Sequence, residues 1–228
     1  MGRLKVKKEI LRIFFATFLS FLFLILSQIK FAPILGTKMK FSLAVFLGPT
    51  LPKIFGGFLG TSIIFLTQIF GTILGIFKFE GTKDIFTFFP IVFGGIFFAK
   101  IFKKEKKALL LPLICILMFI LHPIGRKVWF YSLFWTIPLI LFFFKIPKLN
   151  LFSNALATAF VDHAVGSVIY LYLLSIPAHF WVEAIPRTIL ERIFIGAGIS
   201  LCYKLEKIAI ELLLKIPFFA KLKSFVLT

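Results

Sequence analysis

The sequence predicts an all-α protein, a polytopic transmembrane helical bundle of six to eight spans. The first observation is composition: 60% of the 228 residues are hydrophobic and 34 are Phe, a larger apolar share than soluble domains carry. The second is that apolar stretches recur from residue 10 almost to the end, each near the roughly 20 residues that cross a hydrocarbon core of about 30 Å. The third is that Lys and Arg lie in short segments between these stretches, as they do in membrane proteins.

The net charge of +18 would indicate a nucleic-acid partner in a soluble protein. Here the basic residues flank apolar segments, where they orient helices and meet anionic headgroups. We therefore expect membrane lipids and no nucleic acid as partners. The apolar segments leave no room for a sizeable soluble domain, so residues 1–228 are expected to form a single integral membrane domain.

Proline, glycine and charge clusters divide the chain into eight apolar segments. These segments are 10–29, 41–56, 57–78, 85–102, 108–123, 128–146, 151–176 and 187–214. The first resembles a secretory signal but is too long and lacks a cleavage site, so we expect an uncleaved span. The second contains Pro49 and Pro52, which predict a short or broken helix packed against protein.

The basic residues also predict the orientation. If all eight segments cross, 18 Lys and Arg residues lie on one side and 9 on the other. The positive-inside rule then makes the basic N-terminus (1–9) and the basic tail (215–228) cytoplasmic. The expected location is the cell membrane, with a multi-pass topology.

This topology brings two polar connections to the outer face. The fifth-to-sixth connection carries His122, Arg126 and Trp129, and the seventh-to-eighth carries Trp181, Glu183 and Arg187, with Glu191 and Arg192 one to two turns deeper. Charge inside a span is costly unless it is paired or faces a wet cavity, so the deeper two residues indicate a binding site. The alternatives are an aromatic belt for the tryptophans, solvated loop charges, and a structural ion-pair ladder at four-residue spacing.

Asp162 and His163 lie near the middle of the seventh segment, where ionisable side chains indicate function. Consecutive residues point about 100° apart on a helix, so we expect one of them to pair with a neighbouring helix while the other faces a ligand or water. The alternative is a structural polar clamp with Asn154 or Thr158.

Sequence motifs for chemistry are absent. The chain has no HExxH, G-x-S-x-G or P-loop pattern, and Cys115 and Cys202 are expected to be packing residues rather than a disulfide or metal site. We expect no metal and no cofactor. Small residues four apart, such as Gly56 and Gly60, predict close helix packing.

Three stretches resemble the substrate-binding S components of energy-coupling factor (ECF) vitamin transporters. They are FLGPTLPKIFGGFLGTSIIFLTQIFG (46–71), FTFFPIVFGGIFFAKIF (86–102) and WVEAIPRTILERIFIGAGISL (181–201). The resemblance implies a small helical protein that captures a micronutrient in an outward-opening cavity and works with a transmembrane coupling subunit and two ATPases. The chain departs from the family in its eight predicted spans and in a first helix without an Ala-xxx-Ala surface.

The expected function is a transporter component that binds a small anionic or zwitterionic solute. Arg126, Arg187 and Arg192 would hold acidic groups by charge-assisted hydrogen bonds, while Trp129 or Trp181 would cover an apolar ring. Further candidates for hydrogen bonding are His122, Glu183 and Asp162. The alternatives are an intramembrane enzyme acting on a lipid, with Asp162 and His163 as acid and base, and a non-catalytic membrane assembly protein.

Overall fold

The computed structural model describes residues 2–34, 36–37, 40–77, 86, 88–144, 150–213 and 215, with side chains of the first helix described at residue 10 and from residue 13 onward. Most of this chain is helical, which confirms the all-α class. The strands in the described part form one antiparallel hairpin of two short strands.

The described residues form ten α-helices, two short strands and three 3₁₀ helices. The helices are α1 (Gly2–Gln28), α2 (Ala44–Leu47), α3 (Leu51–Phe55), α4 (Gly57–Ile73), α5 (Phe89–Phe102), α6 (Leu110–Leu121), α7 (Pro123–Lys127), α8 (Ile137–Phe143), α9 (Asn150–Leu174) and α10 (Ala178–Leu213). The hairpin strands are β1 (Lys30–Pro33) and β2 (Lys40–Ser42), and 3₁₀ helices occupy Gly48–Thr50, Lys106–Leu109 and Trp129–Thr136.

Within the described residues, α9 is the one helix that is both long and apolar enough to cross a bilayer. In its apolar window, 67% of the residues are buried inside the protein. Five shorter apolar helical segments of 10 to 17 residues precede it among the described residues. The eight-span topology therefore stays a prediction.

Helix α9 is the centre of the structure and packs against α5, α6, α8 and α10. Small residues permit this packing. Ala155 and Ala159 are fully buried, and a Cβ placed on Gly196 of α10 would lie 3.0 Å from the Cα atom of Leu156. The backbones of α9 and α10 consequently approach closely, as small-residue faces allow.

The second apolar segment is broken, as its prolines predict. Helix α2 passes into the 3₁₀ helix Gly48–Thr50 and then into α3, which ends at Gly56 with φ +91°. The hydroxyl of Thr50 lies 2.7 Å from Oε1 of Glu206 on α10. This contact ties the broken segment to the cytoplasmic half predicted for the last helix.

The boundaries of several predicted segments differ from the structure. The basic N-terminus is helical from Gly2, and the segment predicted at 128–146 begins as a 3₁₀ helix. The tail beyond residue 215 lies outside the described residues.

The last helix begins at Ala178 rather than at residue 187, and it continues through Pro186. Proline removes one helical hydrogen bond, so tertiary contacts must hold the first two turns. Trp181 makes these contacts, since its indole N–H donates to the carbonyl of Ile176 at 3.1 Å and its ring packs on Phe119.

We predict that Gly60→Ala destabilises the fold, because a Cβ at this position would overlap the backbone of Leu51 and Pro52. Overpacking of this kind lowers the free energy of unfolding by about 1–3 kcal/mol. Gly57→Ala is the matched control in the same helix, since no atom lies within 4 Å of its Cβ position. Thermal denaturation in detergent should show a lower midpoint for Gly60→Ala alone, and equal midpoints for the two variants would contradict the packing.

Candidate functional site

A cavity of about 1310 Å³ lies between the hairpin, α9 and α10, with further walls from the ends of α1, α4 and α5. Its lining on α9 runs from Asp162 to Leu174, which is about 18 Å along the axis at 1.5 Å per residue. Lys30 and Lys40 of the hairpin line it and are exposed. The cavity therefore extends from the exposed hairpin to the middle of α9.

Asp162 lies at the deep end of the cavity and is 5% exposed. Its Oδ1 atom has no hydrogen-bond partner among the described residues. A Cβ on Gly94 of α5 would lie 3.2 Å from this oxygen, so the glycine makes the space that the carboxyl group occupies. The Thr158 hydroxyl donates to the carbonyl of Asn154 within α9. Among the described residues, Asp162 has no hydrogen bond to either of these two residues, and the interhelical polar link of this pair runs through His163 instead.

His163 is tied to two other elements through Tyr131. The Tyr131 hydroxyl lies 2.9 Å from Nε2 of His163 and 2.9 Å from Oγ1 of Thr188 on α10. The Thr188 hydroxyl donates to the carbonyl of Ala184 at 2.9 Å. A hydroxyl has one proton to donate, so all three contacts are satisfied only if His163 Nε2–H donates to Tyr131 and Tyr131 donates to Thr188.

The α10 wall carries three charged side chains. Arg192 is 1% exposed, and its Nη2 atom lies 3.4 Å from Oε2 of Glu191. Arg187 approaches the other oxygen of Glu191 at 3.1 Å. The Arg192 guanidinium also stacks over Phe41 of β2 at 4.8 Å. Its Nε atom has no hydrogen-bond partner among the described residues, so one donor of this arginine is buried and unused.

The charges that line the cavity favour an anionic group in it. Four basic and two acidic residues take part, Lys30, Lys40, Arg187, Arg192, Asp162 and Glu191, which gives a net charge of 4 − 2 = +2. The ammonium group of Lys30 donates to the carbonyl of Ser27 at 2.6 Å, and partial burial lowers the pKa of this lysine. In the described part of the chain, no three His, Cys, Asp or Glu residues are grouped to hold a metal ion.

Six of the ten predicted site residues line this cavity, namely Asp162, His163, Trp181, Arg187, Glu191 and Arg192. His122, Arg126, Trp129 and Glu183 do not. His122 caps α7 by accepting the N–H of Ile124, Trp129 is 52% exposed, and Arg126 and Glu183 are exposed. The 3₁₀ helix that starts at Trp129 turns Tyr131 inward instead.

Sequence reasoning missed several lining residues. Ser167 and Tyr170 lie four and seven positions after His163, and Thr188 lies four before Arg192, so helical periodicity would have found them. Tyr131 carries no such signal, because it lies in the aromatic run WFYSLFW with similar residues on both sides.

We predict that Tyr131→Phe lowers the free energy of unfolding by about 1–3 kcal/mol, the range for leaving buried polar partners unsatisfied. The substitution keeps the ring and removes the hydroxyl that joins His163 to Thr188. Tyr172→Phe is the control, because that hydroxyl donates to the Met118 carbonyl at an exposed position where water can replace it. If thermal denaturation shows the same change for both variants, the buried chain does not stabilise the site.

No protein-family model, no curated protein and no solved structure matches the chain. The cavity and its residues therefore carry the functional proposal, and the resemblance of three stretches to ECF S components stays a prediction.

Proposed function

We propose that the protein is an integral membrane protein that binds a small anionic or zwitterionic solute in the cavity, as the solute-capturing component of a transporter. One observation carries this proposal. Asp162 and Arg192 are both buried in the cavity wall, and each keeps a polar atom without a partner among the described residues. Buried polar groups are almost always hydrogen-bonded, and both side chains line the cavity, so we propose a bound solute as a partner for these two residues.

The two faces of α10 support a membrane location. Its buried face holds Arg192 and Glu206, while Leu190, Leu201 and Leu205 are 70%, 58% and 54% exposed. A surface helix of a soluble protein has the opposite arrangement, with its apolar side chains inside. Apolar side chains facing out and ionisable ones facing the interior are expected in lipid. Similar exposed side chains occur on α1, α4 and α6, so the apolar surface is extensive.

The positions of the connections support the proposed orientation, with both termini in the cytoplasm. Gly36, between the two strands of the hairpin, packs against Ile176 in the α9–α10 connection, so the hairpin and this connection lie at the same end of the protein. Lys103, in the loop after α5, and Lys207 of α10 each interact electrostatically with Lys53. The positive-inside rule assigns such a basic group to the cytoplasmic side, and the hairpin end of the cavity to the exterior.

The resemblance to ECF S components supplies the proposed role in transport. A protein of this kind would hand its solute to a transmembrane coupling subunit driven by ATPases. The chain itself has no P-loop motif, so in this proposal a partner or an ion gradient supplies the energy.

The geometry favours binding over the alternative of a lipid-directed enzyme. No hydrogen bond joins Asp162 to His163 among the described side chains, and Nε2 of His163 contacts Tyr131. With Nε2 engaged by Tyr131, His163 has one ring nitrogen left for acid–base chemistry.

We predict that the purified protein carries a small solute that native mass spectrometry detects as a mass increment. Arg192→Gln should lower the affinity about 10-fold to 100-fold, because a charge-assisted hydrogen bond is lost. Arg126→Gln is the control, since Arg126 is exposed and outside the cavity. Arg192→Lys keeps the positive charge. If this variant retains the solute better than Arg192→Gln, the loss of binding follows from the lost charge and not from a damaged fold.

Two results would contradict the proposal. One is a wild-type protein that retains no solute after incubation with a deproteinised small-molecule extract of cells. The other is equal retention by wild-type protein and Arg192→Gln. Thermal denaturation of each variant establishes that it is folded before binding is measured.

We predict the orientation from two exposed positions, His179 after the α9–α10 connection and Lys106 after α5. In a background with Cys115→Ala and Cys202→Ser, a membrane-impermeant maleimide added to intact cells should label His179→Cys. It should label Lys106→Cys only after the cells are lysed. The reverse pattern would overturn the orientation. Labelling of both positions in intact cells would contradict the proposal that the membrane separates them.

A further inference from the structure

We propose that the solute is amphoteric, with an acidic group held at Arg192 and a cationic N–H group held at Asp162. This inference rests on the proposed function and goes beyond it by naming the charge pattern of the solute and its direction in the cavity. The acidic end faces α10 and the amino end faces the junction of α9 and α5.

The Asp162 end requires a donor. In its ionised form the Asp162 carboxyl group accepts hydrogen bonds and donates none. Its Oδ1 atom has no partner among the described residues and lies beside Gly94 of α5, which offers no side chain, while the residue itself lines the cavity. A solute that is only an anion offers this carboxylate no donor and repels it.

His163 favours a donor at the same end of the solute. The contacts among His163, Tyr131 and Thr188 are all satisfied when Nε2–H of His163 donates to Tyr131. An uncharged imidazole then has one polar atom left, the Nδ1 lone pair, which is an acceptor. The two residues at the deep end of the α9 wall therefore both present acceptors.

The Arg192 end requires an acceptor. An arginine has five N–H donors and no acceptor. Glu191 takes one side of the guanidinium at 3.4 Å and divides its charge between Arg192 and Arg187. Arg192 keeps further N–H donors, in a lining whose net charge is +2. A carboxylate or another oxyanion bound beside this guanidinium accepts from it and reduces the excess positive charge.

The experiment uses the full-length protein in detergent, incubated with a deproteinised small-molecule extract of cells. The retained solute is released by denaturation and identified by mass spectrometry. It is then bound again in three forms, unmodified, N-acetylated and esterified on its acid group. The proteins compared are wild type, Asp162→Asn, Arg192→Gln and the control Glu206→Gln, which is equally buried on α10 but outside the cavity.

We expect a solute with both an ionised amino group and an acidic group. In the wild type and in Glu206→Gln, acetylation and esterification should each weaken binding at least about 10-fold. The loss of affinity on acetylation should disappear in Asp162→Asn, because this variant lacks the carboxylate that binds the amino group. The loss of affinity on esterification should disappear in Arg192→Gln, because this variant lacks the guanidinium that binds the acidic group.

The possible failures are distinct. Retention of a solute without an amino group, or an acetylation penalty that is the same in wild type and Asp162→Asn, overturns the amphoteric solute and leaves the proposed function intact. Exchanged roles, with Asp162→Asn insensitive to esterification, overturn the direction. If the wild type retains no solute from the extract, the proposed function itself fails and the inference fails with it.

Discussion

The close packing of α9 against α10 is the constraint on which the site depends. Gly196 admits the backbone of α9 at a distance that a side chain would block, and Ala155 and Ala159 keep the α9 face small. Above this contact the two helices carry Asp162 and Arg192 into one cavity. Each of these charges would be costly alone in an apolar interior, and a nearby opposite charge offsets part of that cost.

The polar groups of the interior divide into satisfied and unsatisfied sets. The chain from His163 through Tyr131 and Thr188 to the Ala184 carbonyl uses the protons of both hydroxyls and joins three elements, so it fixes the shape of the cavity wall. Asp162 Oδ1 and Arg192 Nε lie beside this chain without partners among the described residues. A cavity wall held by satisfied hydrogen bonds, with a few ionisable side chains beside it, resembles a preorganised binding site.

A second buried carboxyl group lies on α10 outside the cavity, and its Oε2 atom also has no hydrogen-bond partner among the described residues. Glu206 lies 14 residues after Arg192, about 21 Å along α10 at the helical rise. It contacts the Thr50 hydroxyl and does not line the cavity. Through Thr50, Glu206 stabilises the irregular segment between α2 and α3, where backbone polar groups need partners inside the protein.

The sequence by itself determined the helical class, the break at Pro49 and Pro52, and the short set of ionisable residues in which a site had to lie. These follow from local properties, namely apolar composition, the missing N–H of proline and the cost of charge in an apolar segment. Tertiary structure alone decided which candidates meet. Arg126 and Trp129 belong to the same connection as Tyr131, but a 3₁₀ helix of eight residues turns only Tyr131 to the cavity, and no local pattern specifies that rotation. The start of α10 at Ala178 was also decided there, because the buried contacts of Trp181 hold a helical turn that Pro186 would otherwise end.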